Sequence, residues 1–139
     1  MRTEGRVVSA ETSVVLGDSM GEMFAYYAAA DLAFIGGSLL PFGGQNLIES
    51  CAVGTPVLIG PHTYNFAEAT QLATQSGAAI QVQDANEMMA ELQRLLNDPE
   101  ALRGMHQQCL DFVGLNRGAT DKAIQLIGAL LNEIRTRPL

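Results

Sequence analysis

Four short apolar runs constrain this chain more than any other feature: Val14-Val-Leu16, Leu32-Ala-Phe-Ile35, Val57-Leu-Ile59 and Ala79-Ile-Gln-Val82. Three of them run straight into glycine, at Gly17, Gly36 and Gly60. They are continuous rather than alternating, the pattern of parallel strands covered on both faces. Helical signals lie between and after them. Ser19-Met-Gly-Glu22, Asn65-Phe-Ala-Glu68 and Asp84-Ala-Asn-Glu87 each have capping-box spacing. They predict helices from about Met20 to Ala29, from Asn65 to Ser76-Gly77, and from Asp84 to Asn97. Gly44 to Val53 is expected to be a further helix, stopped by Gly54. Asp98-Pro99 places an N-cap before a proline at the first helical position. Between Ala119 and Ile134 the apolar residues share one helical face. Regular alternation of strand and helix predicts an α/β fold with a doubly wound parallel sheet and helices on both faces.

Ligands of such sheets bind at the carboxyl ends of the strands. Gly17-Asp18-Ser19, Gly36-Gly37-Ser38 and Gly60-Pro61-His62-Thr63 are expected to line that edge together. The segment from Phe34 to Glu49 is the richest part. A strand enters Gly36-Gly37-Ser38, and a second pair, Gly43-Gly44, precedes a helix carrying Asn46 and Glu49. Glycine permits close backbone approach, and a helix N-terminus favours an anion. Glu49 is placed to reach a sugar hydroxyl pair, so the pattern predicts a nucleotide-sugar site. A flexible helix start with a surface acid is the plainer alternative. Ser19, Met20, Gly21 and Glu22 carry the same ambiguity between capping and docking of a base or phosphate. Asn65 reads most simply as an N-cap. His62 is open to acid-base work or to positioning, and His106 reads as a solvated surface residue.

Composition narrows the function classes. The 139 residues suit one domain, and 47 % hydrophobic content is enough for a core. Eight Lys/Arg against fifteen Asp/Glu give a net charge of −7 with no basic cluster. A nucleic-acid partner is therefore not expected. Charged residues are only 17 %, which points to a face covered by something absent from this chain. Cys51 and Cys109 have neither metal nor redox spacing and are expected to be buried free thiols. Asp18 and Asp31 lack a third ligand at suitable spacing, so no metal site is predicted. The G-x-G-x-x-G and Walker patterns are absent. No strand–glycine–helix unit precedes Val14, and the expectation is a single domain, 1–139, lacking its N-terminal part.

Four segments carry a resemblance. Leu16-Gly-Asp-Ser-Met-Gly-Glu22, Ala30-Asp-Leu-Ala-Phe-Ile-Gly-Gly-Ser38, Gly43-Gly-Gln-Asn-Leu-Ile-Glu49 and Pro56-Val-Leu-Ile-Gly-Pro-His-Thr-Tyr-Asn-Phe66 together resemble the 3-deoxy-D-manno-octulosonic acid (Kdo) transferases. The likeness runs from about Val14 to the end and matches most of the C-terminal half of that family. It implies the Rossmann-like C-terminal domain of a GT-B glycosyltransferase, inverting and metal-independent. The intact enzyme would transfer Kdo from CMP-Kdo to a lipid A precursor at the cytoplasmic side of the bacterial inner membrane, in lipopolysaccharide biosynthesis. This fragment would be soluble and, alone, inactive. No catalytic residue is expected here, because the family's base, acceptor surface and membrane anchor belong to an absent N-terminal domain. By motif, Gly43, Gly44 and Asn46 would lie by the donor phosphate and Glu49 by the ribose hydroxyls. Met20 and Gly21 would lie near the cytosine, Ser19 would be a further donor-binding residue, and Gly37 and Ser38 would border the sugar pocket. Gln45 stands where the family often has histidine, and Ser19 where it has threonine. A basic residue the family uses on the nucleotide falls outside the match. A GT-B transferase using a UDP-sugar and a non-catalytic flavodoxin-like module remain alternatives.

Overall fold

The computed structural model describes residues 8–115, 118, 123–129 and 131. In chain order these form α1 (Met23–Ala28), β1 (Ala33–Phe34), α2 (Ile48–Ala52), β2 (Val57–Ile59), α3 (Ala67–Gln75), β3 (Ala79–Gln81), α4 (Ala85–Leu96) and α5 (Pro99–Leu115). Residues 123–129 and 131 are also helical. The rest of the helix expected over 119–134 lies outside the described residues.

The sheet is parallel, in the order β1-β2-β3. Ala33 pairs with Val57, and Val57 with Ala79. Every β2 residue is buried. Val57 and Ile59 join one core with Ile35, Leu47, Cys51, Ala73, Cys109 and Phe112. Leu58 joins a second core with Leu95 and Met105. Successive strand residues point to opposite faces, so helices cover β2 on both sides, and α5 supplies residues to both cores. Phe34 and Gln81 are exposed, so full two-sided burial is confined to the central strand. β1 and β3 are the edges of the described sheet, with one neighbour each.

The strand expected at Val14–Leu16 does not form. Its three residues pair with no described strand, and Val14 and Leu16 are 84 % and 85 % exposed. An apolar run becomes a strand only where a neighbour accepts its backbone groups, and none is present among the described residues. The helix expected from Met20 begins at Met23, because Gly21 has φ +80° and leaves the right-handed helical region. Ser19 does not cap it; its hydroxyl bonds the Tyr26 hydroxyl at 2.5 Å. No residue of α1 is buried.

The C-terminal capping signals form as expected. Asp84 Oδ1 accepts from the amides of Asn86 and Glu87 at 2.8 and 2.9 Å. Glu87 reaches back to the Gln83 amide at 2.6 Å. Asp98 Oδ1 accepts from the Ala101 amide at 3.0 Å. Cys51 and Cys109 are buried free thiols in one core. A hydrogen bond to Cys51, together with burial, pushes the Cys109 thiol far up, which leaves it unreactive at neutral pH.

Candidate functional site: two stitched loops at the carboxyl edge

The connection from β1 to α2 and the connection from β2 to α3 both leave the carboxyl ends of their strands. They are joined to each other at several points. Ser38 lies at the centre, fully buried. Its hydroxyl donates to the Ile35 carbonyl at 2.5 Å and accepts from the Gly60 amide at 2.8 Å. Its own carbonyl accepts from the His62 amide at 2.9 Å. A Cβ at Gly60 would fall on the Ser38 backbone, so glycine is required for the two chains to pass this closely. Both capacities of the Ser38 hydroxyl are thus used inside the fold.

Gly37, Gly43 and Gly44 have φ values of +72°, +89° and +71°. That conformation costs an L-residue roughly 1–2 kcal/mol. The expectation that Gly43-Gly44 opens the helix is corrected here. Left-handed backbone cannot enter an α-helix, and α2 starts only at Ile48. The Gly44 amide donates to the Gly37 carbonyl at 3.1 Å, closing the loop on itself. With five residues, α2 contributes little macrodipole.

Asn46 and Glu49, singled out for separate contacts, are bonded to each other. Asn46 Oδ1 accepts from the Ile48 amide at 3.0 Å, and its Nδ2 donates to Glu49 Oε1 at 3.2 Å. Asn46 therefore makes a side-chain turn just ahead of α2, whose N-cap is Leu47, and holds the half-buried carboxylate. Glu49 Oε2 takes no hydrogen bond among the described residues. Burial and then the Glu49 charge push the Tyr27 phenol up from its ordinary value. The Tyr27 carbonyl accepts from Thr55 Oγ1 at 2.7 Å. These contacts seat α1 beside α2. Sequence reasoning missed Tyr27, since no local pattern ties it to a residue one strand later.

Asn65 was expected to be an N-cap and is not. The N-cap of α3 is Phe66, with no side-chain cap bond. Asn65 Nδ2 instead donates to the Phe42 carbonyl at 3.2 Å, and its amide donates to the Gly43 carbonyl at 3.2 Å. Tyr64 Oη donates to the Pro41 carbonyl at 2.9 Å. The remaining site candidates stand apart. Met20 is 96 % exposed, and a Cβ on Gly21 would meet nothing within 4 Å. His62 is half-buried in the second loop. His106 is exposed on α5 as expected, with its ring over Gly54. Among the described residues no three His, Cys, Asp or Glu side chains gather as a metal site. No helix among them is long and apolar enough to cross a membrane.

A family model for the glycosyl transferases group 1 matches residues 2–109. A 3-deoxy-D-manno-octulosonic acid transferase of Bordetella pertussis is 44 % identical over 82 % of this chain and 27 % of its own length. Its counterpart in Haemophilus influenzae is 33 % identical over 91 % of this chain and 30 % of its own length. The crystal structure of the C-terminal CMP-Kdo binding domain of WaaA from Acinetobacter baumannii superposes with a TM-score of 0.66 at 32 % identity, covering 70 % of this chain and 51 % of that one. The chain thus spans less than a third of the length of these two enzymes. These relatives carry the same likeness as the four motifs, and the chain belongs to the glycosyl transferases group 1 family.

Proposed function

We propose that this chain is the donor-binding part of an inverting, metal-independent Kdo transferase, and that it takes the CMP portion of CMP-Kdo at its two stitched loops. The observation that carries the reading is the pairing of Asn46 with Glu49 beside the left-handed glycine turn, in a chain similar to a solved CMP-Kdo binding domain. Gly43 and Gly44 are buried, and Tyr64 and Asn65 fill the space a Cβ would take at Gly43, so the turn shapes the loop that meets the phosphate. Gly44 already gives its N–H to Gly37, so shaping the loop, rather than that donor or a helix dipole, is the turn's part. Glu49 Oε2 is the acceptor for a ribose hydroxyl, and Asn46 fixes its direction. Met20 and Gly21, with Ser19 beside them on the donor, approach the cytosine once their exposed segment is covered. Gly37 borders the sugar pocket, and Ser38 holds the pocket wall from inside.

In the intact enzyme an acceptor hydroxyl of a lipid A precursor attacks the anomeric carbon and CMP leaves. The base and acceptor surface lie in the additional N-terminal region of the longer relatives, at the cytoplasmic side of the inner membrane. The three parallel strands are one half of a doubly wound sheet. The exposed residues Val14, Val15, Leu16, Met20 and Phe24 are the surface that the additional region covers.

Glu49→Ala tests the site. A charge-assisted bond contributes roughly 1.5–3 kcal/mol, so CMP affinity is expected to fall about 10- to 150-fold with little change in melting temperature. Unchanged affinity would reduce Glu49 to a surface acid, and unfolding would make it structural.

A further inference from the structure

We infer that Tyr64 and Asn65 are positioning residues that hold the Gly43-Gly44 turn in its ligand-ready shape; the inference rests on the reading that this turn meets the donor phosphate. Three successive carbonyls, those of Pro41, Phe42 and Gly43, are each taken by this dipeptide, through Tyr64 Oη, Asn65 Nδ2 and the Asn65 amide. Both residues are exposed, where a phenol and an amide would otherwise bond water. Here they bond backbone 23 residues earlier. Gly43 is matched to them, since a Cβ there would fall on the Asn65 amide and the Tyr64 ring.

The connection from Ile35 to Leu47 contains no helix or strand. A connection of that kind is ordinarily mobile, and a ligand that binds it must bear the cost of ordering it. The dipeptide removes that cost in advance. It does so from the loop after β2, so the two strand ends move as one body. The role is one of shape: neither side chain is required to touch the nucleotide.

Tyr64→Phe keeps the ring and removes one donor, and Asn65→Ala removes the other. Amide hydrogen exchange of the 139-residue chain, read residue by residue, tests the hold directly. Exchange at the Gly44 and Asn65 amides, which bond Gly37 and Gly43, is expected to quicken in both variants while Leu58 and Ile59 stay protected. CMP affinity is expected to fall about three- to tenfold per lost hydrogen bond, with cytidine affinity affected less. Unchanged exchange at Gly44 and Asn65 would overturn the inference. Faster exchange through β2 as well would make the pair a general fold contact and overturn it too. Equal CMP affinity in wild type and variants would also overturn it. If wild type binds no CMP, the nucleotide reading falls, and the exchange result still decides the hold.

Discussion

Two serines sit in two regions that both carry site motifs. Ser38, between β1 and α2, is fully buried and links the Ile35 carbonyl to the Gly60 amide. Ser19, before α1, lies near the surface and bonds the Tyr26 hydroxyl. Around Ser38 the backbone is locked by Gly37–Gly44, Ser38–His62 and Asn65–Gly43 bonds. Around Ser19 apolar residues face outward, and α1 has no fully buried residue, only the half-buried Tyr27. The difference teaches what each motif needs. The loops after β1 and β2 complete one another within this chain. The Leu16–Glu22 motif has the residue types of a buried strand end, but its cover is not among the described residues.

Substitutions can break or sharpen that contrast. Ser38→Ala should have the largest effect, because it leaves the buried Gly60 amide without a partner, at a cost of about 1–3 kcal/mol. Urea denaturation measures it, and a neutral result would remove Ser38 as the link between the loops. Gly44→Ala comes next. A Cβ there would meet the His62 carbonyl at 3.4 Å, an ordinary contact, so the cost is conformational and about 1–2 kcal/mol. The same variant should lower CMP affinity more than cytidine affinity. An unchanged ratio would take the phosphate away from the turn. Ser19→Ala should be the smallest, within about 0.5 kcal/mol in this chain. A loss matching that of Ser38→Ala would mean that the N-terminal region is held as firmly as the loops.

The strands and the last two long helices were legible because their signals are local. Val57–Ile59 needs only its own apolar run, and Asp84 and Asp98 find their amides within three residues. The bond between Asn46 and Glu49 is just as local, three residues apart, but the sequence reading assigned the two separate contacts. Asn65 was misread because its local cap spacing lost to partners across the chain at Phe42 and Gly43. Gly43 and Gly44 were read as a helix start, although sequence does not reveal the sign of φ. Val14–Leu16 was read as a strand because apolar composition records the tendency to pair and not the presence of a neighbour. Tyr27 and Tyr64 had no signal at all, since their partners depend on how separate loops and helices dock.

The central claim is that the loops after β1 and β2 receive the CMP portion of a donor sugar. Calorimetric titration of the chain with CMP, UMP and AMP tests it most directly. The expected result is weak, saturable binding of CMP in preference to UMP and AMP. No binding of CMP, or a clear preference for UMP, would contradict the claim.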